Sequence, residues 1–318
     1  MTQAPTRPIA DPAPAVGPRL LPRAITRWTR AVAWALLAVN VLIVGTGGLV
    51  RLTGSGMGCR TWPYCTEDSL VPTDELGVHG IIEFGNRTLT GLLIVVSLLA
   101  FLSVVRLRRA RPELALLTLL VGIGIILQAV IGGVTVWMHL HPSIVGVHYV
   151  ISAALVALAA AHVVRVYAVP GPRVRVVPGW YAGVAHSTSV AVLVTVLVGV
   201  LLTGSGPHAG DAEAARNGLD PIWWQHVHSW PAYATLALTL VLMVGALRAA
   251  PALRRWSALL LAVELVQIAV GLWQARTGLP IVLVNTHMVL AVVLVAAMVA
   301  VILHLKAPRE LAASTARP

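Results

Sequence analysis

Charged side chains are scarce in this chain. Asp, Glu, Lys and Arg together make up 11% of its 318 residues, whereas apolar residues make up 58%. The mean hydropathy is +0.84, far above the value that a water-exposed surface tolerates. The scarcity of charge therefore excludes an ordinary soluble protein, and the sequence predicts a membrane protein with the lipid bilayer as its surroundings.

Acidic residues are fewer than basic ones, 12 against 23, which gives a net charge of +11. The basic residues occur in short clusters between long apolar runs, as membrane topology requires, so this charge does not indicate a nucleic-acid partner. The N-terminal region lacks the apolar h-region of a cleaved signal peptide. Residues 1–30 are instead rich in Pro, Ala and Arg, which predicts a disordered cytoplasmic tail.

Long apolar runs dominate the remaining sequence. A helix needs about 20 apolar residues to cross the hydrocarbon core of a bilayer. Eight segments have this length: residues 31–50, 80–105, 113–137, 144–167, 181–203, 222–247, 256–275 and 281–305. The sequence predicts an all-α integral membrane protein with eight transmembrane helices.

Basic residues are concentrated in alternate connections between these helices. Of the 23 basic residues, 18 lie in the N-terminal tail, in the second-to-third, fourth-to-fifth and sixth-to-seventh helix loops, and in the tail at 306–318. Most acidic residues lie in the other loops. Because cytoplasmic loops retain positive charge, we expect both termini and the linker at 169–180 to be cytoplasmic.

An internal repeat is visible in the sequence. Three groups of residues recur in the same order at offsets that shrink from 150 to 142 to 139 positions, as shorter loops in a second copy would produce. They are Leu52–Gly56 with Leu202–Gly206, Glu83 and Asn86 with Gln225 and His228, and Gln128 and His148 with Gln267 and His287.

The repeat divides the chain into two four-helix units, residues 31–168 and 181–305. Four crossings are an even number, so the units have the same orientation and form parallel pseudo-repeated four-helix bundles about an axis along the membrane normal. Helix bundles build cofactor sites from side chains on facing helices.

Three histidines share one predicted depth in the membrane. His148, His228 and His287 lie in the first turns of even-numbered helices, which enter from the outer side. His228 and His287 belong to different helices of the second unit, as an axial pair on one haem iron requires. Ionisable groups inside a membrane are costly and so indicate function, although a histidine that only makes packing hydrogen bonds is the alternative.

The first unit differs from the second at the matching positions. Asn86, a poor iron ligand, takes the place of His228, which leaves His148 without an obvious opposite partner; His79 is a candidate substitute. Glu83 lies on the same helix face as Asn86, and a carboxylate beside a one-ligand haem site suggests catalysis. The alternative, compatible with the first, is that Glu83 simply pairs with Arg87. Arg87 is also a candidate for binding haem propionates or lipid phosphates.

Both cysteines of the chain, Cys59 and Cys65, lie in the first outer loop. The extracytoplasmic compartment permits a disulfide, and a loop this short can close one. We therefore expect a disulfide, whose structural or redox role stays open.

Taken together, these features resemble the haem A synthase family over about residues 30–305. The resemblance is carried by the Gly47–Gly56 helix end, the cysteine pair, the Glu83–Arg87 segment and the three later histidines. It implies oxidation of the C8 methyl of haem O to the formyl group of haem A, the cofactor of cytochrome oxidases. Asn86 departs from the family's Glu-x-x-His-Arg pattern, so position 86 does not supply a second histidine ligand for the substrate haem.

The resemblance also implies roles for individual residues. His228 and His287 match the ligands of haem b in the C-terminal unit, and His148 matches one ligand of the substrate haem in the N-terminal unit. Glu83 matches the catalytic carboxylate, and Cys59 with Cys65 matches the loop pair.

A bacterial plasma membrane with the haem sites toward its extracytoplasmic side is the location that the resemblance implies. Candidate partners besides haem O are a haem O synthase, a quinol or other electron donor, and a second copy of the chain. Two other functions stay open: a b-type cytochrome that relays electrons from quinol, and a parallel-repeat transporter with the histidines in a proton path.

Overall fold

The structure, a computed structural model, describes residues 20–309. Most of the predicted N-terminal tail and the end of the C-terminal tail lie outside the described residues. Within residues 20–309, eight helices are long and apolar enough to cross a membrane, which confirms that part of the prediction. They are α1 Arg27–Leu52, α2 Gly77–Val104, α3 Pro112–Trp137, α4 Pro142–Tyr167, α5 Gly179–Ser205, α6 Pro221–Arg248, α7 Arg254–Arg276 and α8 Ile281–His304.

Local sequence signals set several helix starts. Thr26 and Thr29 form a reciprocal capping box, with Thr26 Oγ1 accepting from Thr29 N at 3.2 Å and Thr29 Oγ1 accepting from Thr26 N at 3.3 Å. Helix α1 therefore begins at Arg27, inside the segment predicted as a disordered tail. Helices α3, α4 and α6 each begin with proline, whose missing N–H has no partner to lose at this position.

The linker at 169–180 and the start of the C-terminal tail are more ordered than the sequence indicates. Strand β1, Arg173–Arg175, pairs antiparallel with strand β2, Lys306–Pro308. Helices α4 and α8 pack against each other and end on the same side of the molecule. The chain segments that follow the two helices therefore lie close enough to form a short ladder, which apolar periodicity cannot predict.

Helices α1, α4 and α8 pack against one another at the centre of the molecule. Helices α2 and α3 pack beside α1 and α4, and helices α5, α6 and α7 lie on the side of α8. A buried cluster with Val44, Val156 and Val292 joins the three central helices. Many large apolar side chains face outward, such as Ile126, which is 64% exposed, and lipid is the solvent that such a surface requires.

Candidate functional site

The predicted histidine pair of the second unit comes together in the structure. His228 is the eighth residue of α6 and His287 the seventh of α8, so both lie near the same end of their helices. Their ring centres are 6.3 Å apart, with the ring planes at 76°. Within the described residues, the Nδ1 atom of each ring is buried without a hydrogen-bond partner. The two rings are therefore close to each other in an edge-on arrangement, and His287 Nε2 lies 3.4 Å from Gln267 Nε2.

A glycine on a neighbouring helix faces each of these imidazoles. A Cβ atom at Gly199 of α5 would lie 2.9 Å from Cε1 of His228, and one at Gly271 of α7 would lie 2.9 Å from Cε1 of His287. Any larger residue would have to displace the rings. The glycines thus set the positions of both imidazoles, and sequence analysis did not identify either of them.

A glutamine holds the backbone beside His287. Gln267 Nε2 of α7 donates to the His287 carbonyl oxygen at 3.1 Å. The first unit has the same arrangement, because Gln128 Nε2 of α3 donates to the His148 carbonyl oxygen at 2.9 Å. Gly132 of α3 faces the His148 ring, with a Cβ-to-Cε1 distance of 3.5 Å. His148 is therefore positioned as His287 is, and its Nδ1 is likewise buried without a partner among the described residues.

Asn86 lies on α2 facing α1. Its Oδ1 accepts a hydrogen bond from Thr46 Oγ1 at 2.8 Å, and its amide group lies 3.9 Å from the position of a Cβ at Gly47. The alternative ligand, His79, is exposed, and its Nδ1 is hydrogen-bonded to Ser55 Oγ at 2.8 Å. Both side chains thus have polar partners from the first helix end and the loop that follows it.

Glu83 is buried, with 6% of its surface exposed. Its Oε2 accepts a hydrogen bond from the Cys59 N–H at 2.8 Å, and its Oε1 pairs with the Arg87 guanidinium. Arg87 also donates to the carbonyl oxygens of Cys59, Thr61 and Tyr64. The structural pairing that the sequence left open is present, and it fastens the loop between α1 and α2 to α2.

Cys59 and Cys65 form the predicted disulfide, and both are fully buried. Trp62, between them, packs on Gly133 of α3 and lies edge-on to Trp137, with ring centres 5.5 Å apart. Gly133 directly follows Gly132, the residue that faces His148. The disulfide loop therefore covers the part of the first unit that holds His148.

Glu264 is a buried carboxyl group that sequence analysis missed. It lies in the middle of α7 and is 3% exposed. Its signal was present in the sequence, because an acidic residue inside an apolar helix is costly and indicates function.

Comparison with known proteins gives two findings. The model of the family described as "Cytochrome oxidase assembly protein" matches residues 30–299. The chain is also similar to proteins named "Heme A synthase" from Bacillus cereus (strain AH187), Bacillus anthracis (strain A0248) and Bacillus thuringiensis subsp. konkukian (strain 97-27). Each is 34% identical over 128 residues, which is 39% of this chain and 40% of the relative.

The aligned region thus spans about two fifths of the length of these curated relatives. The family match is broader and includes all eight helices in whole or in part. The chain belongs to the cytochrome oxidase assembly protein family.

Proposed function

We propose that this chain is a haem A synthase, a membrane oxidoreductase that converts haem O to haem A. The observation that carries the proposal is the spacing of His228 and His287. A metal–imidazole bond is about 2 Å long and the ring centre lies roughly 1 Å farther, so two imidazoles on opposite sides of one ion have centres about 6 Å apart. The separation of 6.3 Å fits one iron between the rings.

Two further features favour a haem at this pair. Gly199 and Gly271 leave room only for the imidazoles themselves, so each ring has a defined position. In each ring Nδ1 lies 3.3 Å and Nε2 lies 3.8 Å from the Cβ position of the facing glycine, so Nε2 is the nitrogen that would bind the iron. We assign haem b to this site, where it would supply one-electron transfer through a six-coordinate iron.

The recurring Gly–His–Gln arrangement supports two units of common origin. Gly132, His148 and Gln128 match Gly271, His287 and Gln267, each 139 positions later. We therefore propose parallel pseudo-repeated units, with both termini cytoplasmic and the histidines toward the extracytoplasmic side of a bacterial plasma membrane. The concentration of basic residues at the opposite helix ends favours this orientation.

The first unit is the proposed substrate site. His148 would bind the iron of haem O, and the Cys59–Cys65 loop would exclude water from above through Trp62. Two successive hydroxylations of the C8 methyl, each a two-electron oxidation that inserts one oxygen atom from an external oxidant, would give an alcohol and then a gem-diol, which loses water to leave the formyl group. Asn86, held by Thr46, would line the side opposite His148 without serving as a second imidazole ligand.

Glu83 is the proposed catalytic carboxylate of this unit. Its Oε2 accepts a hydrogen bond from Cys59 N, and a carboxylate oxygen has a further lone pair that can accept a proton. Arg87 holds Oε1 and keeps the carboxylate oriented. Glu83 would stabilise developing positive charge or move protons near the methyl group. Arg87 would then position Glu83 and the loop, because its guanidinium N–H groups donate to the Glu83 carboxylate and to the carbonyl oxygens of the loop.

The test is co-expression of the full chain with a source of haem O, followed by extraction and chromatographic separation of the haems. We expect haem A together with haem B in the purified protein. Stable haem B without haem A would overturn the synthase proposal in favour of an electron-relaying b-type cytochrome. Protein without a Soret band would overturn both and favour the transporter.

A further inference from the structure

Glu264 is a buried carboxyl group without an ionic partner. Within the described residues it forms neither a salt bridge nor a hydrogen bond of ordinary geometry, and its Oε2 is enclosed. The hydroxyl of Thr239, on the α6 helix that packs against α7, is also buried without a partner in the part of the chain described. Buried polar groups without hydrogen-bond partners cost stability in an apolar bundle. Packing therefore does not explain why these two groups are present.

The position of Glu264 connects it to the histidine pair. Ser257, Glu264 and Gly271 follow one another at intervals of seven residues along α7, so they lie on nearly the same helix face, about 10 Å apart from one to the next. Gly271 contacts the His287 ring. The carboxyl group therefore lies two turns below the imidazole, on the face of α7 that points toward the site.

Polar side chains of α5 follow the same spacing. Tyr181 Oη and Ser257 Oγ are 2.8 Å apart, which places the two helices in register at that level. Thr195 lies two heptads after Tyr181, and its Oγ1 is 3.4 Å from Thr235 Oγ1 of α6. A stripe of hydroxyl and carboxyl groups thus extends through the interior of the second unit from the Tyr181 end toward His228.

The four-helix scaffold does not itself require a carboxyl group at this level. The matching residue 139 positions earlier is Ile125, which is 2% exposed and belongs to the apolar core of the first unit. An apolar side chain therefore packs at the equivalent place. At this position, the unit that contains the histidine pair has a carboxyl group, and the other unit has an apolar side chain.

We propose that Glu264 takes up a proton when the haem held by His228 and His287 is reduced. The inference rests on the proposed haem b site. One electron from a quinol or other external reductant converts Fe(III) to Fe(II), and one proton from the medium converts the Glu264 carboxylate to the acid. Ferric haem between two neutral imidazoles carries one positive charge that stabilises the carboxylate; reduction removes this charge, and protonation compensates for it.

The other titratable groups near Glu264 are accounted for. On the helices that contact α7, His228 and His287 are assigned to the iron, Tyr181 of α5 is hydrogen-bonded to Ser257, and His304 of α8 stacks on Trp256 near the other end of the bundle. On α7 itself, the arginines lie at the helix ends, as Arg254, Arg255 and Arg276. The 3-10 turn Pro251–Leu253 carries no ionisable side chain. Among the described residues, Glu264 is therefore the carboxyl group of this bundle interior that has no assigned partner.

The test is a redox titration of the haem absorption band at several pH values in the full-length holoprotein. In the wild type, each tenfold fall in proton activity should lower the ferrous-to-ferric ratio at fixed potential, by up to tenfold. Glu264→Gln should lose this dependence, and Glu264→Asp should retain part of it. Glu113→Gln, which removes an ion-paired carboxylate from α3, is the matched control and should behave as the wild type.

Propionates of the haem titrate in every variant, so only the difference between wild type and Glu264→Gln counts. An unchanged pH dependence in Glu264→Gln would overturn the inference. If that variant binds no haem, the infrared difference spectrum of the reduced minus oxidised wild type decides, because no gain of a protonated carboxyl band would overturn the inference equally. A holoprotein with haem that fails these tests contradicts only the role of Glu264; a protein without haem contradicts the site itself.

Discussion

Gly271 of α7 and His287 of α8 are in such close contact that a Cβ atom at position 271 would lie 2.9 Å from Cε1 of the imidazole. Gly199 of α5 has the same relationship with His228 of α6. Helices α5 and α7 therefore lie on either side of the histidine pair, and each has a glycine at the point of contact. The position of each imidazole ring therefore depends on a glycine, which has no reactive side chain.

The first prediction follows from this contact. Gly271→Ala should displace the His287 ring, because overpacking a site costs about 1–3 kcal/mol. We expect haem b affinity to fall about tenfold, since about 1.4 kcal/mol corresponds to a factor of ten. The Soret absorbance per mole of purified protein measures the effect.

Gly183→Ala is the matched control, because Gly183 lies in α5 with no atom within 4 Å of the added Cβ. It should retain the haem content of the wild type. Equal haem content in the two variants would contradict the tight glycine contact.

The second prediction separates the two units through their matching glutamines. Gln267→Leu removes the hydrogen bond to the His287 carbonyl oxygen, and Gln128→Leu removes the one to the His148 carbonyl oxygen. Because a lost hydrogen bond costs about 1 kcal/mol, each variant should loosen its own histidine. Haem b content should fall several-fold in Gln267→Leu only, whereas haem A formation should fall in Gln128→Leu with haem b retained. Identical haem profiles would argue against separate sites.

The third prediction concerns Glu83. Glu83→Gln keeps an acceptor for the Cys59 N–H but removes the charge that pairs with Arg87. We expect haem A formation to be lost while haem b at His228 and His287 remains, because Glu83 belongs to the other unit. Chromatography of extracted haems, together with the reduced-minus-oxidised spectrum, measures both outcomes. Full activity of Glu83→Gln would rule out the catalytic role.

The fourth prediction concerns the disulfide loop. Replacing Cys59 and Cys65 together with serine should destabilise the docked loop by about 2 kcal/mol, from the entropy of closing a short loop. Cleavage by trypsin at Arg60, which is exposed, should become several-fold faster. Arg276, which is exposed at the end of α7 in the other four-helix unit, provides an internal reference whose cleavage should not change. Unchanged cleavage at Arg60 would show that Trp62 and Arg87 hold the loop without the disulfide.

Sequence patterns predicted the features that depend on one helix at a time. Apolar run length gave all eight helices because a membrane imposes that length, and the position of each histidine along its helix gave their common depth. Gly199 and Gly271 were missed because a contact between helices depends on their relative rotation, which a single run does not show. The β1–β2 ladder was missed for a related reason, since it depends on the packing of α4 against α8.

The Glu83–Arg87 pair shows a different limit. Its spacing of four residues predicts the ion pair, yet the three loop carbonyls that also bind Arg87 come from a segment with no regular pattern. The sequence therefore predicts the ion pair but not the contacts by which Arg87 holds the loop. Glu264 was visible as a charge in an apolar run, and only its place two turns from Gly271 connects it to His287.

We infer that His228 and His287 bind one haem iron between them. Electron paramagnetic resonance of the oxidised full-length protein, with His228→Ala and His287→Ala beside the wild type, distinguishes this arrangement from its alternatives. We expect a low-spin ferric signal of a six-coordinate haem in the wild type and its loss in each variant, with Gly183→Ala unchanged. A low-spin signal from haem b that persists in both histidine variants would contradict the claim.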